Sequence, residues 1–110
     1  MIKLEIELDT KILEAEDYEV EKVIKVISDA IRQSDYAIEE KNENGYFLYR
    51  GKGKNTDLAH IAMIVDALAD RDWFKLSCKK LNLLSDTFSD DGSFIVEGDW
   101  IRTFKKYGKW

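Results

Sequence analysis

The chain has 110 residues, 45% of them hydrophobic and 35% charged, with no proline and a formal net charge of −5. That length and make-up describe one domain, residues 1–110, with a core of its own, and they exclude a disordered chain or a Pro-rich linker. A lone cysteine, Cys78, excludes an intramolecular disulfide and a multi-cysteine metal centre, which fits a cytoplasmic setting, and the acidic balance argues against general affinity for nucleic acid.

The opening MIKLEIELD is too short and too charged for a signal peptide, and no apolar run reaches the roughly 18 residues of a membrane span. Ile2, Leu4, Ile6 and Leu8 alternate with Lys3, Glu5, Glu7 and Asp9, the period of a strand with one buried and one solvated face. Residues 10–17 read as a connector. Asp17 is expected to cap a helix whose first turn carries Glu19 and Glu21, where the helix dipole favours acids. Val20, Val23, Ile24, Ile27 and Ile31 then form its apolar stripe to about Ser34.

Residues 36–43 and 46–50 flank Asn44-Gly45, which predicts a hairpin with a two-residue type I′ turn. This register pairs Glu39 with Arg50 and puts Tyr36, Ile38, Phe47 and Tyr49 on the core face. The stretch GKGKN, 51–55, becomes an exit loop before a helix capped by Thr56 or Asn55.

That helix, about 57–70, carries Leu58, Ile61, Ala62, Val65 and Leu68 on one stripe, with His60, Met63, Ile64 and Ala67 covering much of the other side. A helix apolar on two sides is buried on both or shared with another chain, so a homodimer through Leu58–Asp70 is one expectation. Asp70 to Asp72 ends it. A short helix should follow over 73–81, with Trp73, Phe74, Cys78 and Leu81 inward and Lys75, Lys79 and Lys80 outward. A second hairpin is expected from 83–88 and 94–96 around Asp91-Gly92. Asp99 caps a final helix to Tyr107, with Lys105 and Lys106 in its last turn and Gly108 beyond.

The predicted order, β-α-β-β-α-α-β-β-α, gives an α+β fold with an antiparallel sheet and helices packed on one face. Its opening matches the split βαβ, ferredoxin-like arrangement. The alternative takes residues 57–97 as a winged helix-turn-helix core.

These elements argue against four chemistries. A phosphate-binding Gly-Lys loop needs a glycine five residues before its Gly-Lys pair and a hydroxyl residue after it; Gly51-Lys52 and Gly53-Lys54 have neither. The aromatic run GYFLY lacks the small residue of an RNA-stacking strand, and Glu5 and Glu7 would repel phosphates from the neighbouring strand. An EF-hand aligned on Gly92 would need ligands at Thr87 and Gly98. Catalysis would fall to His60 and Cys78, the only imidazole and thiol, both expected in the core. No catalytic residue, cofactor or metal is therefore expected.

Charge supplies the remaining candidates. Residues 1–45 hold thirteen acids against six bases. Glu5, Glu7, Asp9, Glu14, Glu16, Asp17, Glu19 and Glu21 are the candidate acidic surface, suited to docking the basic groove of a nucleic-acid-binding enzyme. Arg50, Lys52, Lys54, Lys75, Lys79 and Lys80 are the basic set on which the alternative, a winged-helix DNA-binding accessory protein, depends. In short length, acidity, aromatic richness and lack of a catalytic motif, the chain is similar to the small phage-encoded inhibitors of the anti-CRISPR type. That resemblance implies a non-catalytic regulator or inhibitor, encoded by a phage or mobile element and acting through a protein partner.

Overall fold

A computed structural model describes all residues from Met1 to Trp110. The elements are β1 (Ile2–Leu8), α1 (Thr10–Ala15), α2 (Val20–Ser34), β2 (Ile38–Glu43), β3 (Tyr46–Arg50), α3 (Asp57–Ala69), α4 (Asp72–Ser77), β4 (Cys78–Ser85), β5 (Ile95–Asp99) and α5 (Trp100–Lys106). The strands form one antiparallel sheet in the order β2-β3-β1-β4-β5. The fold is α+β. Because β3 lies between β1 and β2, the first half is the expected split βαβ unit, and β4 on the other side of β1 completes a ferredoxin-like order to which β5 adds a strand.

Alternation along β1 sets the layers. Leu4, Ile6 and Leu8 are buried, while Lys3, Glu5 and Glu7 point to the other face. The buried row meets Phe47 and Tyr49 of β3, Leu81 of β4, and Val23, Ile27 and Ile31 of α2, which recur at the spacing of one helical face. Ile61, Ile64, Val65 and Leu68 of α3, with Phe74 and Phe104, complete a single cluster of 17 buried apolar residues. Each large side chain moved there from water contributes roughly 1.5–3 kcal/mol.

Several local expectations are corrected. Residues 10–15 are helical because the Asp9 carboxylate accepts the N–H groups of Lys11 (3.0 Å) and Ile12 (3.3 Å), capping α1 and driving Leu13 into the core. Asp17 does not cap α2. It takes a left-handed φ of 62° in the turn that ends α1, and Glu19 precedes α2 without a side-chain bond.

The Asn44-Gly45 turn forms as expected, both residues at positive φ, with Glu43 opposite Tyr46. The register shifts further along, because Glu40 bulges out between Glu39 and Lys41. Ile38, not Glu39, therefore faces Arg50, and Ile38 is exposed. The shift leaves Glu39 to accept from the Tyr49 hydroxyl (3.3 Å) and from Ser28 Oγ (3.0 Å), meeting the need of a buried phenol for a partner.

On α3 the buried stripe includes Ile64, and Leu58 is 53% exposed. The helix expected over 73–81 stops at Ser77, since residues from Cys78 onward pair with β1 along its length. In KKLNLL the alternation of Lys80, Asn82 and Leu84 with Leu81 and Leu83 is a strand period, and pairing with the central strand prevails over helix propagation. The second hairpin joins β4 to β5 through residues 86–94, with Gly92 at φ 77°. Asp99 caps α5 as expected, accepting from the Arg102 N–H at 3.3 Å.

Candidate functional site

The loop leaving β3 carries the first group of candidate cations. Gly51 N–H donates to the Ile2 carbonyl at 3.0 Å, and the chain then turns so that the N–H groups of Gly53 (2.8 Å) and Lys54 (3.1 Å) converge on Asp57 Oδ2. Successive backbone N–H groups pointing inward make an anion nest. Here the anion is the chain's own Asp57 carboxylate, which is 5% exposed. A Cβ on Gly51 would lie 2.6 Å from that same oxygen, so glycine is required for space. The two N–H groups that a phosphate would engage are already occupied. Lys52 Nζ is 2.8 Å from Asp35 Oδ1 and holds that exposed carboxyl below its ordinary range, while Arg50 Nε lies 3.7 Å from Glu40 Oε2.

The second group of cations does not share a helix. Lys75 is on α4, Lys79 sits at the irregularity where β4 leaves the β1 register, and Lys80 is a strand residue opposite Glu7. A recognition helix presenting Lys75, Lys79 and Lys80 on one face is absent, and this corrects the winged helix-turn-helix alternative. Lys79 Nζ is instead 3.9 Å from Asp9 Oδ2.

The eight acids divide by position. Glu5 lies on the open face of the sheet, where Oε2 accepts from the Tyr46 hydroxyl at 2.6 Å and Oε1 from Asn82 Nδ2 at 2.9 Å. Burial first, then Glu5, raises the Tyr46 phenol above its ordinary range. Glu7 and Asp9 line a hollow with Lys11 and Lys79, so its charge is mixed. Glu14, Glu19 and Glu21 line an adjoining hollow that shares Thr10 and Asn44 with the first. Tyr18, Val20 and Ile24 give it an apolar patch, and Glu16 and Asp17 are exposed in the intervening turn. The only ion pair made by these five acids is Glu19 with Lys22 at 3.2 Å, exposed on both sides and therefore weak.

His60 and Cys78 have separate structural partners. The imidazole stacks on Tyr36 with centroids 4.1 Å apart. The Cys78 S–H donates to the Lys80 carbonyl at 3.2 Å, and burial pushes the thiol up to about 12, far above where a thiolate nucleophile would operate. No three His, Cys, Asp or Glu side chains are grouped to hold a metal ion. No helix is long and apolar enough to cross a membrane.

Compared with protein-family models, curated proteins and solved structures, the chain matches none. Sequence reasoning missed Asp57 and the apolar patch of the acidic hollow. Asp57, an acid shortly after two glycines in a loop, is a signal for a self-filled nest. Tyr18, Val20 and Ile24 only gain meaning once α1 turns the chain back alongside α2.

Proposed function

We propose that the protein is a small non-catalytic regulator or inhibitor that acts in the cytoplasm by docking a basic surface on a protein partner. The partner surface that fits is the positively charged groove of a nucleic-acid-binding enzyme, a target typical of inhibitors carried by phages and mobile elements. One observation carries this reading. Glu14, Glu16, Asp17, Glu19 and Glu21 remain exposed around Tyr18, Val20 and Ile24, five acids within eight residues of which only Glu19 has an ion-pair partner. Acids rimming an apolar patch combine electrostatic steering with a surface that gains from being dried. A second copy meeting through the exposed Leu58 and Met63 of α3 is the competing arrangement. It predicts a dimer by light scattering, whereas the regulator proposed here is a monomer until it meets its partner.

The test is fluorescence anisotropy with a labelled arginine-rich peptide and, separately, a labelled short duplex DNA, each titrated from low to high salt. The peptide should bind at low salt, weaken as salt rises, and lose most of its affinity when Glu14, Glu19 and Glu21 become Lys. The duplex should not bind. Submicromolar duplex binding that Lys79→Glu and Lys80→Glu weaken would overturn the proposal in favour of a DNA-binding protein.

A further inference from the structure

Between α2 and α3 the helices part to leave a groove of about 280 Å³, close to the low end of the roughly 300–1,000 Å³ of ligand pockets. Nine of its eleven lining residues are hydrophobic. Val26 and Ala30 line it from α2, and Met63 and Ala67 from α3. Its fixed walls are aromatic: Tyr36 is held by stacking on His60, and Trp73 packs edge-on against Phe74 with centroids 5.9 Å apart. Walls held this way cost little to order when a ligand enters.

The only charged side chain in the groove is Arg71, which makes no ion pair elsewhere in the molecule. Its backbone carbonyl accepts from the N–H groups of Phe74 and Lys75, so the residue's structural role as the start of α4 does not engage the guanidinium. Tyr36 and Trp73 line the same space, and each carries one polar group, a hydroxyl and an indole N–H. The volume corresponds to about nine waters at roughly 30 Å³ each. That is enough to enclose a slender chain, and too little to enclose a helix about 10–12 Å across.

We infer that this groove is a binding site for a small amphiphilic anion, an unbranched acyl chain with a carboxylate head. The tail lies along Val26, Ala30, Met63 and Ala67, and Arg71 receives the carboxylate. The site is separate from the acidic hollow and stands whether or not a protein partner docks there.

Decanoate, decanol and decyltrimethylammonium share a tail and differ in head charge, so calorimetric titration of each into the full chain separates tail from head. Decanoate should bind about tenfold more tightly than decanol, the worth of one charge-assisted contact at a wet site, and the cation should bind least. Arg71→Gln should bring decanoate to the level of decanol. Ala67→Trp, at an exposed position, should fill the groove and abolish both, while thermal unfolding shows that each variant remains folded. The Trp73 indole N–H resonance should move with decanoate in the native chain. Equal binding of decanoate and decanol, indifference to Ala67→Trp, or the absence of binding would each overturn the inference. So would a dimer that Ala67→Glu dissolves and decanoate leaves intact, since the groove would then belong to a second copy.

Discussion

The two faces of the sheet solve opposite problems with the same strand. On one face β1 contributes Leu4, Ile6 and Leu8, residues without side-chain polar atoms, packed against Phe47 and Leu81. On the other it contributes Lys3, Glu5 and Glu7, and order comes from pairing. Lys3 Nζ is 2.7 Å from Glu40 Oε1 and lies 4.2 Å from the centre of the Phe94 ring, and Glu5 is held by Tyr46 and Asn82. The first face is worth stability by burial. The second is polar yet largely self-satisfied, so charge on a solvent-facing strand is poor evidence of a binding surface. Five exposed acids gather at the end of the sheet, along α1 and into the start of α2, and Glu19 with Lys22 is their only ion pair.

This contrast predicts a ladder of effects. Phe47→Ala on the buried face should cost about 3–5 kcal/mol, read as a lower urea midpoint with unchanged slope. Near the sheet margin, Asp57→Ala should cost about 1–3 kcal/mol, because the N–H groups of Gly53 and Lys54 lose their acceptor. Gly51→Ala should also destabilise, through collision with Asp57, and should do so much less in the Asp57→Ala background. Additive costs would mean that the loop does not close around that carboxylate.

Alkaline pH should expose the groups held neutral. Tyr46, Tyr49 and the Cys78 thiol all have raised values, burial being the first cause of each. The unfolded chain releases these protons from about pH 9 to 10, where the folded chain keeps them. Their contribution is therefore complete below those pH values and is lost as pH climbs further. Urea midpoints should be level from neutral to about pH 9 and fall beyond it, with a shallower fall for Tyr46→Phe. A thiol reagent should label native Cys78 far more slowly than the unfolded chain at pH 8. On the open face, Glu5→Gln should cost only about 0.5–1.5 kcal/mol, since Tyr46 and Asn82 are half-buried and water can replace part of what is lost.

Much of this was legible in the residues. The alternation of β1, the stripe of α2, the Asn44-Gly45 turn and the Asp99 cap each reflect a local rule that the tertiary structure obeys. The misreadings arose where a distant partner decides. Cys78–Ser85 is a strand because β1 offers a free edge; the alternation in KKLNLL is consistent with it, but so short a run does not by itself decide between strand and helix. The Glu40 bulge forms where the Tyr49 hydroxyl needs Glu39, a pairing that depends on both strands being in place. Six residues are too few to show a helical period, so 10–15 read as a connector, although Asp9 is a readable cap. The acidic candidates were legible as a group but not in their division, since Glu5 becomes internal only when Tyr46 and Asn82 flank it.

The most direct test combines binding with stability in one variant, Glu14, Glu19 and Glu21 all changed to Lys. These residues are exposed and carry no buried contact, so the stability read from urea unfolding should fall by no more than about 1–2 kcal/mol, the cost of placing cations at the start of α2, while affinity for the arginine-rich peptide collapses. Peptide binding that survives the charge reversal, in a chain that remains folded, would contradict the claim that this acidic rim is the surface that meets a partner.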